Sequence, residues 1–315
     1  MGYLFGFSLD SGSSLKFDEY AKCQSKHWGH FDLDNDATRS YLREQSGLDS
    51  LIVDAMIAEE TRPRFVQLNN DGCLLILRAI NFNESEENEN MISVRVWIED
   101  KRVITVSHKK LRAAEDVADM IHRGNGAKTT ADFCVSLIKQ TLSHIDPILV
   151  KLDESTEDLE ENLPNESEEQ AFNLLSDLKR ETLTLRRHLA PERDVIFQLG
   201  HASLPFFQRM QSRQVLELHD RISRYVEDLE NIRERITSTS EELRSRMAMH
   251  MNRTMYMFSL VAVIFLPLTF LTGLFGINVG GIPGSEQPMA FAIFSGIMLF
   301  IAVSLVWFFR KIRWF

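Results

Sequence analysis

The chain has 315 residues, and its 35 Lys and Arg stand against 45 Asp and Glu, which gives a formal net charge of −10. This acidic balance argues against a nucleic-acid-binding protein, which needs a basic face to neutralise phosphates. The 3 cysteines, Cys23, Cys73 and Cys134, lie far apart, which excludes a disulfide scaffold and a cysteine-rich zinc site.

Residues 1–128 are predicted to form a cytoplasmic α/β domain. Polar and apolar residues mix at helical spacing from Leu33 to Arg64 and indicate short helices. Three later runs, rich in β-branched and aromatic residues, predict strands at 73–82, 91–99 and 102–108. A tight polar turn joins the last two runs into a hairpin, and the glycine-containing segment 123–126 marks the exit from the domain.

Residues 129–202 are predicted to form a helical hairpin with an acidic tip. The first arm ends in the acidic segment from Asp153 to Glu161, and Pro164-Asn165 breaks the helix. Pro191 is expected to bend or restart the second arm. The apolar stripe of the first arm consists of Phe133, Leu137, Ile138, Ile145, Ile148 and Leu152. The stripe of the second arm consists of Phe172, Leu175, Leu178, Leu185 and Leu189.

Residues 203–253 are predicted to form a cytoplasmic stalk helix. Its apolar residues recur at alternating steps of 3 and 4, which is a heptad pattern. They are Val215, Leu218, Ile222, Tyr225, Leu229, Ile232, Ile236, Thr239 and Leu243. Because no helix breaker follows them, we expect the helix to continue into the next segment.

Two uncharged runs then predict membrane spans. The first span is assigned to 254–277, where Met255 to Leu274 supplies about 20 residues, enough to cross a hydrocarbon core about 30 Å thick. Residues 278–288 are the external loop, and 289–315 hold the second span and a cytoplasmic tail. Basic residues flank the outer ends of the spans and are missing from the loop. The positive-inside rule therefore predicts a multi-pass protein of the cell inner membrane with both termini in the cytoplasm.

The first span carries a stripe that is smaller and more polar than its surroundings. It consists of Asn252, Met255, Ser259, Ala262, Leu266, Thr269, Gly273 and Gly276. Small and hydroxyl-bearing residues on one face suit either close helix packing or a water-filled pore. Two spans cannot enclose a pore in one chain, so a pore would need several copies of the chain in a ring.

The first span ends in Gly276-Ile277-Asn278, within the segment LPLTFLTGLFGINVGGIPG. This position and sequence resemble the Gly-Met-Asn signature of the CorA superfamily of divalent-cation transporters, with an aliphatic residue in place of Met as in its ZntB zinc-transporter branch. Arg62-Pro63-Arg64, the segment 189–195 and the ending Arg313-Trp314-Phe315 resemble the same branch.

The resemblance covers nearly the whole chain and implies an α+β membrane protein. Its expected parts are a cytoplasmic α/β domain with a helical hairpin, a long stalk helix and two C-terminal transmembrane helices. The resemblance further implies a homopentameric funnel in the lipid bilayer, with the five first spans lining a central pore.

Several site residues are carried over from the resemblance by position. The implied pore face comprises Asn252, Met255, Leu266, Thr269 and Asn278. Phe258 aligns with a pore-facing position of the family, whereas the stripe points to Ser259, and both stay candidates. Glu241 matches an acidic position near the cytoplasmic interface that would attract cations. His219-Asp220 resembles a position between neighbouring subunits and is a candidate sensor of ions or protons.

The chemistry of the pore mouth also follows from the residues themselves. A dehydrated Zn²⁺ prefers His, Cys or carboxylate ligands, and neither span contains one. We therefore expect a hydrated cation to pass a ring of amide and backbone oxygens from Asn278 and Gly276. Glu286 in the loop is able to add a diffuse negative field. It is displaced from the acidic position of magnesium-type relatives, so their mouth is not implied here.

Other segments contain residue types that bind metals. Near the N-terminus these are Cys23, His27, His30, Asp32, Asp34 and Asp36. If this segment is a strand, His27 and His30 point to opposite faces, which argues against a zinc site. The acidic run 153–169 suits either cation gathering or a solvated hairpin tip. No phosphate-binding glycine loop, nucleophile elbow or catalytic dyad is present, so we predict neither an enzyme nor a prosthetic cofactor.

The leading hypothesis is proton-coupled uptake of Zn²⁺, with Cd²⁺, Ni²⁺ and Co²⁺ as further candidate ions. The alternatives are a passive Mg²⁺/Co²⁺/Ni²⁺ channel, zinc efflux, and a membrane-anchored scaffold that transports nothing. The spans offer no carboxylate as a proton relay, which argues against a simple relay within the membrane. A scaffold would have no need of Asn278, so this residue separates it from a pore.

Overall fold

The computed structural model describes residues 2–59, 61–68, 72–82, 91–276 and 287–311. The chain divides into two compact units, Met1–Ser240 and Glu241–Phe315. The strands are β1 (Tyr3–Ser8), β2 (His27–Asp32), β3 (Arg64–Leu68), β4 (Gly72–Ala79), β5 (Ile92–Ile98) and β6 (Arg102–Ser107). The helices are α1 (Phe17–Lys22), α2 (Asp36–Glu44), α3 (Ser50–Ile57), α4 (Arg112–His122), α5 (Thr130–Ser143), α6 (Asp146–Asn162), α7 (Glu168–His201), α8 (Arg209–Phe275) and α9 (Ala290–Lys311).

The strands of the first unit form one mixed sheet in the order β1-β2-β6-β5-β4-β3. The β2–β6 pair is parallel, with Trp28 opposite Val103, and the other pairs are antiparallel. The predicted hairpin is confirmed as β5–β6, where Glu99 N donates to Arg102 O at 2.9 Å. The predicted short helices and the strands at 73–82, 91–99 and 102–108 are present, whereas β1, β3, α1 and α4 were not anticipated.

Both faces of the sheet are covered, which explains why the strands read as nearly continuous apolar runs. On one face Leu74, Ile76 and Ile104 join a buried cluster with Leu42 of α2 and Met56 of α3. On the other face Phe133 of α5 packs against Trp28, with ring centroids 4.5 Å apart. Helix α4 is followed by Gly124 with φ of 77°, a left-handed conformation that favours glycine. The boundary of an α/β domain at residue 128 stays a prediction.

The helical hairpin differs from its prediction in three places. The first arm is divided into α5 and α6 at His144 and Ile145, just before Pro147. The second arm, α7, runs through Pro191 without interruption, so of the two expected alternatives, a bend or a restart, the restart is wrong. Phe172 was assigned to the buried stripe but is 55% exposed, whereas Leu175, Leu178, Leu185 and Leu189 are buried as predicted.

The seam predicted for the stalk is confirmed along its whole length. All of its residues from Val215 to Leu243 are buried. The helix continues without a break into the uncharged segment, as the sequence indicates, and α8 contains Pro267. The heptad pattern therefore located a packed face of α8 correctly.

The three cysteines are free thiols in different environments. Cys73 and Cys134 are buried, whereas Cys23 is partly exposed. Burial raises the pKa of Cys73 to about 12 and raises the pKa of Cys134. These two thiols are therefore protonated at neutral pH.

Candidate functional site

The second unit contains the end of α8 and all of α9, and both helices are long and apolar enough to cross a membrane. The best 18-residue windows of α8 and α9 have mean hydropathies of 2.3 and 2.4. Only 6% and 0% of these windows are buried within the chain. Apolar surface of this extent is stable only against lipid or against other protein.

Each of these helices has one face that is less exposed than the rest. On α8 the face consists of buried Leu260 and half-buried Ile264, Pro267, Leu268 and Leu271. On α9 it consists of half-buried Phe294, Met298, Ile301 and Leu305 and buried Phe309. The rings of Phe275 and Phe294 lie 5.2 Å apart. The spacing by 3 and 4 shows one continuous face on each helix.

The predicted pore-facing residues lie on a different side of α8. Asn252, Met255, Phe258, Ser259, Ala262, Leu266, Thr269 and Gly273 are all exposed. At 100° per residue, their stripe is centred about half a turn from the centre of the less exposed face. This side is exposed in the described part of the chain, and for a Cβ added at Gly273 no atom lies within 4 Å.

Phe258 and Ser259, the two alternatives for one pore position, are both exposed. Phe258 is 72% exposed. The Ser259 hydroxyl donates to the Met255 carbonyl at 3.0 Å, so its proton is used within its own helix. Both residues stay candidates for this pore position.

Further along the span, Thr269 and Thr272 differ in whether their hydroxyl groups are hydrogen-bonded within the helix. The Thr272 hydroxyl donates to the Leu268 carbonyl at 3.0 Å and is satisfied by its own helix. The Thr269 hydroxyl has no partner among the described residues, since the hydrogen bonds of that stretch involve only its backbone carbonyl. Thr269 is therefore able to offer its side-chain oxygen and proton to water or to a hydrated ion.

The mouth of the predicted pore is described only at its first residue. Helix α8 ends at Phe275, and Gly276 N donates to the Thr272 carbonyl at 2.9 Å. Ile277, Asn278 and Glu286 lie outside the described residues. Their assignment to an ion mouth and to cation attraction stays a prediction.

The candidate sites before the span, Glu241 and His219-Asp220, lie on the surface of α8, and their roles stay predictions. Glu241 is exposed. His219 Nδ1 lies 3.3 Å from Asp220 Oδ1, and its ring lies 5.2 Å from that of Phe197. The acidic tip is partly neutralised by Arg235 of α8, which binds Asp153 at 2.6 Å and Glu160 at 2.7 Å. These pairs favour the solvated, structural interpretation of the acidic run.

The N-terminal metal-binding residue types do not form a site in the described part of the chain. His27 and His30 belong to β2, and His30 is buried with Nδ1 2.9 Å from Thr105 Oγ1. Burial lowers the pKa of His30 to about 4. No group of three or more His, Cys, Asp or Glu in the described residues is arranged to hold a metal ion.

Arg62-Pro63-Arg64 and the segment 189–195 have no role predicted from their sequence. The structure brings Arg62 and Pro191 to one pocket. Beside it, Glu192 is fully buried, and Arg78 N donates to its Oε2 at 3.4 Å. Glu and Arg at these positions carry no periodic signal, and only the fold shows that they meet.

The comparisons with known proteins agree with the two-span architecture. Residues 24–311 match the family model described as CorA-like Mg²⁺ transporter protein. The zinc transport protein ZntB of Yersinia enterocolitica is 31% identical over 99% of this chain and 95% of its own length. The divalent cation transporter CmaX of Pseudomonas aeruginosa is 35% identical over 91% of this chain and 87% of its own.

A solved structure extends this similarity to three dimensions. The structure of the full-length CmaX protein matches with a TM-score of 0.84 and 32% identity, covering 99% of this chain and 98% of that chain. The similarity therefore includes the sheet, the long helix and the two apolar helices.

Proposed function

The chain belongs to the CorA-like transporter family, and from this premise we propose that it carries Zn²⁺ across the cell inner membrane through a pore built by several copies of the chain. Divalent-cation transport follows from family membership. The ion, the path, the assembly and the driving force are the finer parts of the proposal. Transport, rather than catalysis, is what the sequence predicted.

The observation that carries the proposal is the exposed stripe on α8. Its residues face away from the less exposed side of the same helix, and they include the hydroxyl of Thr269 and the glycine at 273. One pair of spans cannot surround a channel, so the stripe gains a function when first spans from several chains face a common axis. A homopentamer, with both termini in the cytoplasm, is the proposed arrangement.

The proposed selectivity follows from the ligands that the spans offer. They contain hydroxyl and backbone oxygens but no His, Cys, Asp or Glu, and Asn278, directly after the first span, adds an amide oxygen. Such a surface selects a hydrated cation by the size of the ion and by the electrostatic field of the oxygens, and it releases the ion readily. The preference for Zn²⁺ rests on the similarity to ZntB over 99% of the chain.

The experiment is zinc entry into liposomes that hold the purified protein. Uptake is measured with and without an inward proton gradient, and with and without excess external Mg²⁺. Flux that rises with the gradient and ignores Mg²⁺ supports proton-coupled zinc uptake. The variant Asn278→Leu is expected to abolish flux while the assembly persists, and Ile264→Val, a conservative change on the less exposed face of α8, is the control.

A passive channel for several divalent cations is the second candidate. It is favoured by the similarity to CmaX and by the lack of any carboxylate in the spans that could relay protons. Flux that ignores the proton gradient and is suppressed by Mg²⁺ would select it. Absence of flux, with Asn278→Leu indistinguishable from the parent, would leave a scaffold as the function.

A further inference from the structure

A pocket of about 700 Å³ opens in the first unit between the connection from α3 to β3, strand β4 and helix α7. It is lined by Glu59, Thr61, Arg62, Pro63, Arg78, Arg187, His188 and Pro191. Pockets of this volume hold small organic ligands in many proteins. Two segments that the proposed function leaves without a role, 62–64 and 189–195, both contribute to its wall.

The arginines of the pocket keep their positive charge available. Arg62 and Arg187 are exposed, and neither makes an ion pair with a carboxylate in the described part of the chain. Arg78 donates to the backbone carbonyls of Met91, at 3.2 Å, and of Thr61. Its buried Nε has no partner among the described residues. Carbonyl groups orient a guanidinium but do not neutralise it.

The carboxylates beside the arginines cancel little of this charge. Glu192 is fully buried, and its Oε1 has no partner among the described residues. Burial raises the pKa of Glu192 to about 8, although Arg78 acts in the opposite direction. Glu192 is therefore mostly neutral at pH 7, and Glu59, which is exposed, is the negative group on the rim.

His188, in the wall of the same pocket, is exposed to the same positive electrostatic potential. Burial, together with the charges of Arg78 and Arg187, lowers the pKa of His188 to about 4. Its neutral imidazole is able to donate or accept one hydrogen bond to a ligand. Among the described residues, three arginines thus face one ionised carboxylate, and a cation such as the transported metal would be repelled.

We infer that this pocket binds a phosphate group, either free phosphate or the phosphate of a small metabolite. Guanidinium groups match the geometry and charge of phosphate oxygens. The arginines come from three separate elements, which allows them to bind one anion from several sides. The pocket is also larger than inorganic phosphate requires, so a phosphate-bearing metabolite has room for its remaining part. This inference does not depend on zinc transport.

The test is isothermal titration calorimetry on the full-length protein in detergent, at constant ionic strength and without divalent metal. The probes are inorganic phosphate, pyrophosphate and ADP, with chloride as the non-phosphate anion. We expect binding of at least one phosphate probe. Arg187→Gln and Arg62→Gln should each weaken it about tenfold or more, since each removes a charge-assisted interaction. Tighter binding of ADP or pyrophosphate than of phosphate would identify a metabolite as the ligand, and the reverse order would identify free phosphate.

Arg193→Gln is the matched control, because Arg193 lies on the same helix but pairs with Asp194 at 3.1 Å and does not line the pocket. It should bind the probes as the parent does. The inference is overturned if no phosphate probe binds at millimolar concentration, if chloride binds equally well, or if Arg187→Gln and Arg62→Gln bind as tightly as Arg193→Gln. Arg62 and Arg187 are exposed, so these variants should fold, which size-exclusion chromatography verifies.

Discussion

The two units use the same helical spacing in opposite ways. In Met1–Ser240 the apolar residues of α8, such as Val215 and Leu229, are buried within the chain. In Glu241–Phe315 the stripe from Met255 to Gly273 continues the steps of 3 and 4 but is exposed. A heptad pattern therefore identifies a face that needs a neighbour, but it does not tell whether the neighbour is the same chain, another copy, lipid or water.

The largest expected effect comes from truncating a leucine on each part of α8. Leu229 is fully buried, so Leu229→Ala should destabilise the fold by about 2–5 kcal/mol. Leu266 is 70% exposed, so Leu266→Ala should hardly change the stability of the single chain. Thermal unfolding in detergent compares the two variants. An equal loss at both positions would show that Leu266 is packed between copies, and would favour helix packing over a water-filled pore.

The second-largest effect is the pH dependence of stability that arises from Glu192, a buried carboxyl group of the first unit. The pKa of Glu192 is raised to about 8 by burial, so the folded state holds this proton more tightly than the unfolded state does. The stabilisation that Glu192 gives the folded state is complete at pH values below its pKa in the unfolded state. It is lost as the pH rises through about 8, at up to about 1.4 kcal/mol per pH unit.

Glu192→Gln should remove this dependence, so the difference in melting temperature between variant and parent should grow from pH 5 to pH 8. Other titrating groups cancel in the difference. The charged or titratable neighbours in the adjacent pocket are Glu59, Arg62, Arg78, Arg187 and His188. A difference that stays constant over this range would mean that Glu192 is ionised throughout, with Arg78 as its counter-ion.

Thr269 and Thr272 provide a matched pair of variants that tests the stripe of the second unit. Thr269→Val removes a hydroxyl that is free in the described chain, whereas Thr272→Val removes one that is bound to the Leu268 carbonyl. If water and ions pass the stripe, the first variant should slow zinc flux into liposomes several-fold and the second should change it little. Equal flux in both variants would remove Thr269 from the path.

The smallest effect is expected at the acidic tip of the helical hairpin. Arg235 is partly exposed and binds Asp153 and Glu160, so Arg235→Gln should cost about 1 kcal/mol or less, and less at high salt. Melting curves at low and high NaCl measure this. If the variant instead altered the zinc dependence of transport, the acidic run would be acting on cations.

Much of the fold was predictable because its signals are periodic. The seam of α8 and the β5–β6 hairpin depend on residues whose spacing matches the geometry of helices and strands. Phe172 has the right spacing but lies on an exposed face, since spacing does not reveal how far a neighbouring helix extends. β1 and β3 were missed because short, half-exposed edge strands such as Arg64–Leu68 lack a strong apolar pattern.

The candidate site was predictable only in part. The sequence placed the stripe residues on one face of α8, because helical periodicity alone determines which residues share a side, and their pore-lining role stays a prediction. It gave no sign of the arginine pocket, because Arg62, Arg78 and Arg187 are far apart in the chain and meet only through the packing of α7 on the sheet. Asn278 and Glu286 remain predictions, since they lie outside the described residues.

The unequal burial of the three thiols provides a means of counting subunits. Cys73 and Cys134 are buried and protonated, so a maleimide dye should react with Cys23 alone. Each copy of the natural chain then carries one fluorophore without any engineered cysteine. In single complexes held in a bilayer, the number of photobleaching steps would equal the number of chains, and five steps would identify the proposed pentamer.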